Sequence, residues 1–356
     1  MTSVKVGFAN ELKVKSSDIQ HFFLNNWERD IALTHNKFYN WQFLDTPSNT
    51  ADQCCVAIHE HQLVAVMGLN ERSFYTDGKS IKAAELTTWI VKRDKRSLGL
   101  GNLMIDFLQS QFSALFAMGI SSTALPIYLF KDFKYIKSVP RFLYVLNYKT
   151  LKKHGRSTQT TKILSRKPSQ KHEYKCIAIT PFTLDSIFES FSNNYDLYSR
   201  NFDWIRWRYF EHPSFTYSVN IIDNKEGSIC VVVYRIDSLE EFSIMHCTDL
   251  YGDELAFPSA LTFIEDRAKE KKVDIIDFYS TCSSVNSHFI NRNWLPLLDY
   301  DFVDFPHLFH PIEMRTPSTT SLVMWCKEQK NSFFDLTRLY ITKQDCDFDR
   351  PVKTNV

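Results

Sequence analysis

The stretch Val91-Lys92-Arg93-Asp94-Lys95-Arg96-Ser97-Leu98-Gly99-Leu100-Gly101-Asn102 joins a strand pattern to a helix pattern. A strand is predicted over residues 84–91, and apolar residues recur at helical spacing from Met104, so a helix begins near Gly101. Two glycines let the backbone turn tightly with its N–H groups directed inward, and the helix start adds a positive dipole end. Arg96 can add a charge-assisted hydrogen bond. The stretch therefore predicts an anion cradle, with a plain tight turn as the alternative.

Glycine is scarce elsewhere, which makes this pair informative. The chain has nine glycines in 356 residues, where the usual content of roughly 7% would give about 25. The pattern lacks the Gly-Lys-Ser/Thr of a P-loop, and its glycine spacing fails the dinucleotide-binding G-x-G-x-x-G. Both of those nucleotide-binding classes are excluded.

Composition excludes further classes of protein. Hydrophobic residues make up 44% and charged residues 23%, as in globular proteins. The 42 Lys and Arg against 41 Asp and Glu argue against a broad basic face for nucleic acid. We find no apolar run of 18 residues and no signal-peptide pattern, and the eight cysteines form no C-x-x-C pair. We therefore expect no membrane span, no nucleic-acid partner and a cytoplasmic location.

A repeat divides the chain into two similar halves. Trp41-Gln42-Phe43-Leu44-Asp45-Thr46-Pro47 and Trp207-Arg208-Tyr209-Phe210-Glu211-His212-Pro213 share a Trp-x-aromatic-apolar-acid-x-Pro pattern 166 residues apart. Duplication predicts a first domain over 1–150, a basic linker or excursion over 151–175, and a second domain over 176–356. The alternation of strands and helices predicts an α/β fold with mixed sheets.

The second half lacks the anion cradle. Tyr251-Gly252-Asp253-Glu254 takes its place, and two carboxylates there would repel a pyrophosphate. We therefore expect a single cradle, in the first half.

Arg96-x-x-Gly99-x-Gly101 resembles the acyl-CoA pyrophosphate loop of the GNAT (GCN5-related) N-acyltransferases. Tyr128-Leu-Phe-Lys-Asp-Phe133 is similar to the family's Tyr-x-x-x-Gly-Phe turn, with Asp132 replacing the glycine, and residues 35–147 follow the family's element order. The resemblance implies two tandem GNAT-like domains, each a central mixed sheet flanked by helices. It implies coenzyme A, as acyl-CoA, bound by Ile90, Val91, Arg96, Ser97, Leu98, Gly99, Leu100, Gly101 and Asn102.

The same resemblance implies transfer of an acyl group from CoA to an amine. Tyr128 would then be the general acid for the leaving thiolate, and the backbone N–H of Ile90 or Val91 would stabilise the oxyanion. The alternative for Tyr128 is an aromatic packing role.

Three side chains are candidates for the base. Strand alternation places Glu85, Thr87, Trp89 and Val91 on one side, so Glu85 could face the cleft; otherwise it is a surface acid. His246 and Asp249 lie on the equivalent strand of the second half and could reach the substrate, although a core histidine is the alternative. A water chain without a dedicated base also stays open.

Substrate contacts are expected from Trp89, Asp249, Arg206 and Arg208. The two arginines belong to the run Trp204-Ile205-Arg206-Trp207-Arg208-Tyr209, whose first-half counterpart shares the aromatics without the arginines. We therefore expect the aromatics to be core residues and the arginines to be functional.

The segment Thr342-Lys-Gln-Asp-Cys-Asp-Phe-Asp-Arg-Pro351 resembles one that ends bacterial tandem GNAT proteins of surface-polysaccharide clusters. That resemblance implies a nucleotide-linked amino sugar as acceptor, of the dTDP-3-amino-3,6-dideoxyhexose type, and an acetyl or 3-hydroxybutanoyl donor. Its Asp-x-Asp-x-Asp lacks the glycine and distal Glu of a calcium loop, so no metal is expected. The segment could instead be a solvated or Arg-paired acidic tail, or help to line the sugar site.

Two other functions stay open at this point. One is acylation of a peptide, a protein or a small amine on the same fold, and the other is a non-catalytic CoA-binding scaffold. A homodimer is neither required nor excluded by the sequence.

Overall fold

The computed structural model describes residues 4–27, 30–48, 54–167, 169–297, 303–306, 319–328 and 331–351. It confirms the predicted α/β class, with two mixed sheets flanked by helices. The strands are β1 Lys5–Phe8, β2 Cys54–His59, β3 Gln62–Thr76, β4 Lys79–Val91, β5 Ala114–Met118, β6 Lys134–Ile136, β7 Arg141–Val145, β8 Arg156–Ser157, β9 Lys175–Ile177, β10 Leu197–Tyr198, β11 Ser218–Asp223, β12 Ile229–Ser238, β13 Ser243–Gly252, β14 Ile275–Tyr279, β15 Leu295–Leu297, β16 Val303–Asp304 and β17 Leu322–Cys326. The α-helices are α1 Ser16–Asn26, α2 Asn36–Phe43, α3 Leu100–Gln111, α4 Leu125–Phe130, α5 Tyr148–His154, α6 Gln159–Leu164, α7 Pro181–Ser192, α8 Phe202–Ile205, α9 Phe257–Glu270 and α10 Ser283–Asn291.

The two sheets have matching strand orders. The first runs β1-β2-β3-β4-β5-β17-β6, with β10 also on β3, and the second runs β9-β11-β12-β13-β14-β7-β15. Each contains one parallel pair at the same place, β4 with β5 and β13 with β14. We call each sheet with its helices a lobe. The matching orders are what the duplicated motif predicts.

Each sheet contains strands from the other half of the chain, and the first sheet receives β10 beside β3 in this way. β7, from the first half of the chain, lies between β14 and β15, whereas β17, from the second half, lies between β5 and β6. The predicted boundary at residue 150 therefore does not separate the sheets, because β7 precedes that boundary and pairs in the second lobe.

The basic stretch 151–175 packs on the second lobe instead of running free. It contains the end of α5, then β8 and α6, and β8 pairs with β16. Near its end, the carbonyl of Gln170 accepts a hydrogen bond of 2.6 Å from the guanidinium of Arg292. The stretch is an ordered excursion.

An irregularity in β4 changes which residues face each side of the first sheet. Met67 of β3 pairs with Trp89, yet Leu69 pairs with Leu86, so Thr87 and Thr88 together oppose one residue of β3. Such a bulge interrupts the alternation of side chains along a strand. β4 pairs with β5 only over 83–85, and the two strands separate beyond that point.

Candidate active site

A cavity of about 860 Å³ lies in the first lobe, where β4 and β5 separate. Its walls come from β4, the end of β5, the start of α3, α4, the connection after α1 and the C-terminal segment. The residues that line this cavity include Trp27, Asp30, Ile31, Thr88, Trp89, Ile90, Val91, Arg96, Gly101, Tyr128, Asp347, Phe348, Arg350 and Pro351.

The glycine-containing loop forms one end of this cavity. Arg93–Leu98 is a 3₁₀ turn, Gly99 follows with a φ of 67°, and α3 begins at Leu100, close to the predicted start. The first N–H groups of a helix have no intrahelical acceptor, and they add to the positive end of its dipole. Arg96 is exposed at the cavity and makes no ion pair with any described residue. The local charge suits an anion.

Gly101 is needed for a different reason from Gly99. A Cβ at Gly101 would lie 2.7 Å from Ile127 Cδ1 and 3.0 Å from Trp89 Cζ2. The missing side chain therefore lets α3 approach β4 and α4 closely at the cavity.

Backbone geometry separates the two predicted oxyanion donors. The N–H of Lys92 donates to the carbonyl of Val64 on β3 at 2.9 Å. Because N–H groups alternate between the two edges of an extended strand, that of Ile90 is directed to β3 and that of Val91 to the opening beside β5. Val91 is thus the better placed of the two.

Tyr128 lines the cavity as predicted and is 3% exposed. Its ring packs edge-on against Trp89, 5.6 Å between centroids, and against Phe133 at 4.9 Å. Burial raises the pKa of Tyr128 well above its usual value, so the hydroxyl stays protonated at physiological pH. It is therefore available as a proton donor.

The expected orientation of Glu85 towards the cleft is corrected. Trp89 packs on the α3 side of the sheet, whereas Glu85 lines a separate cavity of about 10 Å³ together with Trp41 and Asn70. The bulge at 87–88 is the reason, because it breaks the alternation that placed Glu85 with Trp89. The carboxylate accepts a hydrogen bond from Asn70 Nδ2 at 2.8 Å. Burial, with a contribution from Asp347, raises the pKa of Glu85 to about 8.

His246 is also corrected as a catalytic candidate. It is fully buried in the second sheet and does not line the large cavity. Its Nδ1 lies 2.7 Å from Asp277 and its Nε2 lies 3.1 Å from Asp237. The ring is held between two carboxylates as part of the core.

Asp249 belongs to the core in the same way. Its carboxylate accepts hydrogen bonds from Arg200 Nε at 2.7 Å and from the Tyr340 hydroxyl at 3.1 Å, and it is fully buried. Contrary to prediction, it does not line the large cavity.

The two arginines predicted to hold the substrate lie elsewhere. Arg206 pairs on the surface with Asp203 at 3.5 Å and with Glu211 at 3.3 Å. Arg208 is buried and pairs with Asp349 at 3.1 Å. Neither lines the large cavity.

The C-terminal segment, residues 339–351, is anchored by buried ion pairs with arginines, which agrees with the Arg-paired alternative. Asp345 binds Arg200 at 2.6 Å and lies 3.5 Å from Arg72 of the first lobe. Asp349 binds Arg208 and also Arg235, the latter at 2.8 Å. All these side chains are buried. Each charged group lies beside a group of opposite charge, and their attraction offsets the cost of removing both from water.

This segment brings its last described residues into the first lobe. Asp347, Phe348, Arg350 and Pro351 line the large cavity. The ring of Phe348 packs on Gly119 at the end of β5, where a Cβ would lie 2.8 Å away. The alternative that this segment lines the site therefore fits the geometry better than a solvated tail.

The structure thus brings Trp89, Ile90, Val91, Arg96, Gly101 and Tyr128 to one cavity. The other predicted CoA contacts follow or precede them in the same loop and first helical turn. These are Ser97, Leu98, Gly99, Leu100 and Asn102.

The equivalent turn of the second lobe contains an acidic side chain of the protein itself, that of Glu254. Glu254 lies 2.9 Å from His288 Nε2 and accepts a hydrogen bond from Tyr195. Its carboxylate lies one turn before α9, where the first lobe offers a free cradle.

In the described ranges, no group of three or more His, Cys, Asp or Glu side chains is arranged to hold a metal ion. In the same part of the chain, each helix is too short or too polar to cross a membrane.

Solved structures with the same architecture are distant in sequence. A probable N-acyltransferase of unknown function from Enterococcus faecalis V583 matches 94% of this chain and 75% of its own, at 12% identity and a TM-score of 0.53. A GCN5-related N-acetyltransferase from Anabaena variabilis matches 90% and 72%, at 10% identity and a TM-score of 0.52.

A third similar structure contains an acyl-CoA. N-myristoyltransferase from Saccharomyces cerevisiae with bound myristoyl-CoA matches 96% of this chain and 84% of its own, at 12% identity and a TM-score of 0.50. The fold is that of the GNAT N-acyltransferases. No protein-family model and no curated protein sequence matches the chain.

Proposed function

We propose that this protein is an acyl-CoA-dependent N-acyltransferase acting on the amino group of a nucleotide-linked amino sugar. The acceptor is a dTDP-3-amino-3,6-dideoxyhexose destined for surface polysaccharide, and the donor carries an acetyl or 3-hydroxybutanoyl group. The observation that carries the proposal is that one cavity joins Arg96 and the start of α3 to Tyr128. A phosphate-binding end and a proton donor then face the same substrate space.

Acyl-CoA would enter with its pyrophosphate at the first turn of α3 and beside Arg96. The separation of β4 from β5 leaves room for the pantetheine arm, and the N–H of Val91 is the proposed oxyanion donor. Tyr128 would give a proton to the leaving thiolate.

The acceptor would occupy the side of the cavity farthest from the loop. Trp27 and Phe348 offer aromatic surfaces against which a sugar or base can pack, and Arg350 offers a cation for a phosphate. The resemblance of the C-terminal segment to that of polysaccharide-cluster proteins supports an amino sugar over a peptide.

The second lobe would have a structural role and no CoA site of its own. Its Glu254 carboxylate occupies the position equivalent to the phosphate cradle, so we propose one CoA site per chain. Its contribution to the active site is the C-terminal segment.

Release of free thiol from acetyl-CoA and 3-hydroxybutanoyl-CoA, measured against a panel of amines, tests the proposal. We expect the highest kcat/KM with dTDP-3-amino-3,6-dideoxyhexoses. Higher values with peptides or simple amines would favour the alternative acceptors, and CoA binding without thiol release would indicate a scaffold.

Arg96→Ala and its neighbour Arg93→Ala form a matched pair for the loop. Both arginines are exposed on the same 3₁₀ turn, but Arg93 does not line the cavity. Loss of a charge-assisted contact predicts a rise in KM for acyl-CoA of roughly tenfold or more in Arg96→Ala alone. Equal turnover in both variants would contradict the loop assignment.

A further inference from the structure

Two carboxylates line the large cavity among the described residues, Asp30 and Asp347. Asp347 also lines the small cavity that contains Glu85. Asp347 therefore lies on the wall between the two cavities, and Glu85 lies on the side of that wall that faces the small cavity. Asp30 lines the large cavity and is not among the residues that line the small one.

The position of Asp347 is fixed from both sides along the chain. Asp345 is paired with Arg200 at 2.6 Å, and Asp349 is paired with Arg208 at 3.1 Å. The carboxylate of Asp347 accepts a hydrogen bond from the guanidinium of Arg350, which also lines the large cavity. A carboxylate held between two buried ion pairs is preorganised, and a catalytic group needs that property.

Glu85 is placed to influence Asp347 and is shielded from substrate. It is 4% exposed, and its neighbours in the small cavity include Arg72, Arg208 and Asp349. Burial first, and the charge of Asp347 second, raise the pKa of Glu85 to about 8, even though Asn70, Arg72 and Arg208 act to lower it. At neutral pH Glu85 therefore mostly holds a proton.

An independent feature indicates that a polar ligand belongs in the large cavity. Thr88 is 4% exposed and lines the large cavity, and within the described part of the chain its Oγ1 has no hydrogen-bond partner. A buried hydroxyl without a partner is costly unless a ligand supplies one. An amine nitrogen, which donates hydrogen bonds, suits both Thr88 Oγ1 and a carboxylate.

We propose that Asp347 is the group that accepts the proton of the acceptor's ammonium, and that Glu85 is a positioning residue that holds the proton of the carboxylate pair. The inference rests on the proposed N-acyl transfer. It moves the role of base from Glu85, on the first sheet, to a residue of the C-terminal segment.

The proton balance is simple. One N–H bond of the ammonium breaks as an O–H bond forms on Asp347, and the freed lone pair attacks the thioester carbon. The C–N bond forms while the carbonyl π electrons move to oxygen; collapse of this intermediate then breaks the C–S bond. A second nitrogen proton reaches the sulfur through Tyr128, the amide keeps the third hydrogen, and Asp347 returns its proton to solvent after the products leave.

The test compares four variants with acetyl-CoA and a dTDP-3-amino-3,6-dideoxyhexose, following thiol release. Asp347→Asn should lower kcat at least 100-fold at pH 7, within the range that general bases contribute, with CoA affinity within threefold of wild type. Asp347→Glu, which keeps a carboxylate, should retain kcat within tenfold. Asp45→Asn, an exposed acid outside both cavities, is the matched control and should match wild type.

Glu85→Gln separates the positioning role from a direct one. Because glutamine imitates the protonated acid, kcat at pH 7 should stay within about threefold of wild type, and an inflexion of kcat near pH 8 should disappear. A 100-fold loss in Glu85→Gln, with Asp347→Asn unaffected, would make Glu85 the base and overturn the inference.

Other outcomes are also decisive. Wild-type kcat in Asp347→Asn overturns the inference alone, because the transferase is then active without it. If Asp347→Asn misfolds and no longer binds CoA, the Asp347→Glu variant provides the test. A 100-fold loss of kcat in Asp347→Glu overturns the inference. Failure of the wild type to release thiol with any amine overturns the proposed function, and the inference with it.

Discussion

Trp41 and Trp207 stack on each other with 4.8 Å between ring centroids and 12° between ring planes. Each indole N–H donates to the other residue's backbone carbonyl, at 3.0 Å from Trp41 and 2.8 Å from Trp207. These are the first residues of the two copies of the repeated motif. A reciprocal contact between equivalent residues is the signature of a two-fold relation, here within one chain.

Replacing either tryptophan with phenylalanine should destabilise the protein by about 1–3 kcal/mol. Each change removes one indole donor and leaves a buried carbonyl without it, in addition to lost stacking area. Chemical denaturation of the single and double variants gives the coupling between them. We expect a coupling of roughly 1 kcal/mol or more, whereas additive effects would show that the two rings act independently.

Gly101→Ala should raise the KM for acyl-CoA about tenfold with a smaller change in kcat. The added Cβ would lie 2.7 Å from Ile127 Cδ1 and 3.0 Å from Trp89 Cζ2, so these side chains or α3 must shift at the cavity wall. Adding Ile127→Ala removes the nearest obstacle and should recover part of the loss. A double variant no better than Gly101→Ala would point to Trp89, at 3.0 Å, as the dominant clash.

Tyr128→Phe should lower kcat about 100-fold while CoA affinity stays within threefold. The substitution keeps the packing against Trp89 and Phe133 and removes only the donor hydroxyl. Tyr135→Phe, on the surface of β6 and outside the cavity, is the control. Wild-type kcat in Tyr128→Phe would leave the tyrosine with the packing role alone.

Stability should fall between pH 7 and pH 5 because of His212. Burial, with the charge of Arg208, lowers its pKa to about 3, and its Nδ1 accepts backbone N–H bonds from Ser214 and Phe215 at 3.2 and 3.1 Å. The folded state thus holds a neutral imidazole, while the unfolded chain protonates below about pH 6.5. The stability is present above pH 6.5 and is lost as pH falls from there towards 3.

From these pKa values the loss between pH 7 and pH 5 is about 2 kcal/mol. Denaturation curves at both values should show it in the wild type. His212→Phe removes the titrating group, so the difference between the two pH values should shrink by that amount. An unchanged difference would exclude His212 as its source.

Features that depend on local pattern could be predicted from sequence. The strand before Arg93, the helix from Leu100 and the loop between them follow from hydrophobic period and two glycines. These signals act over a few residues: α3 begins at Leu100, beside the predicted start near Gly101, whereas β4 begins at Lys79, before the predicted start at residue 84.

Features that depend on distant partners could not be predicted. Each of β7 and β17 is a short, largely apolar run, and a pattern of that kind does not specify which sheet the strand joins. The bulge of β4 likewise shows no signal in Thr87 and Thr88, yet it moves Glu85 to the other face.

For the same reason, the sequence does not distinguish catalytic residues from residues of buried ion pairs. Arg208, His246 and Asp249 are polar residues in apolar surroundings, a pattern shared by catalytic groups and by buried ion pairs. Their partners are remote in the chain: Arg208 binds Asp349, 141 residues away. Only the fold reveals that Arg208 anchors Asp349 of the C-terminal segment, whereas His246 pairs with Asp277 and Asp249 with Arg200 in the core.

A crystal structure with CoA bound tests the central claim, one acyl-CoA site in the first lobe, most directly. We predict the pyrophosphate at the first turn of α3 beside Arg96, and the sulfur within hydrogen-bonding reach of the Tyr128 hydroxyl. CoA bound at the turn around Glu254 of the second lobe, or outside the large cavity, would contradict it.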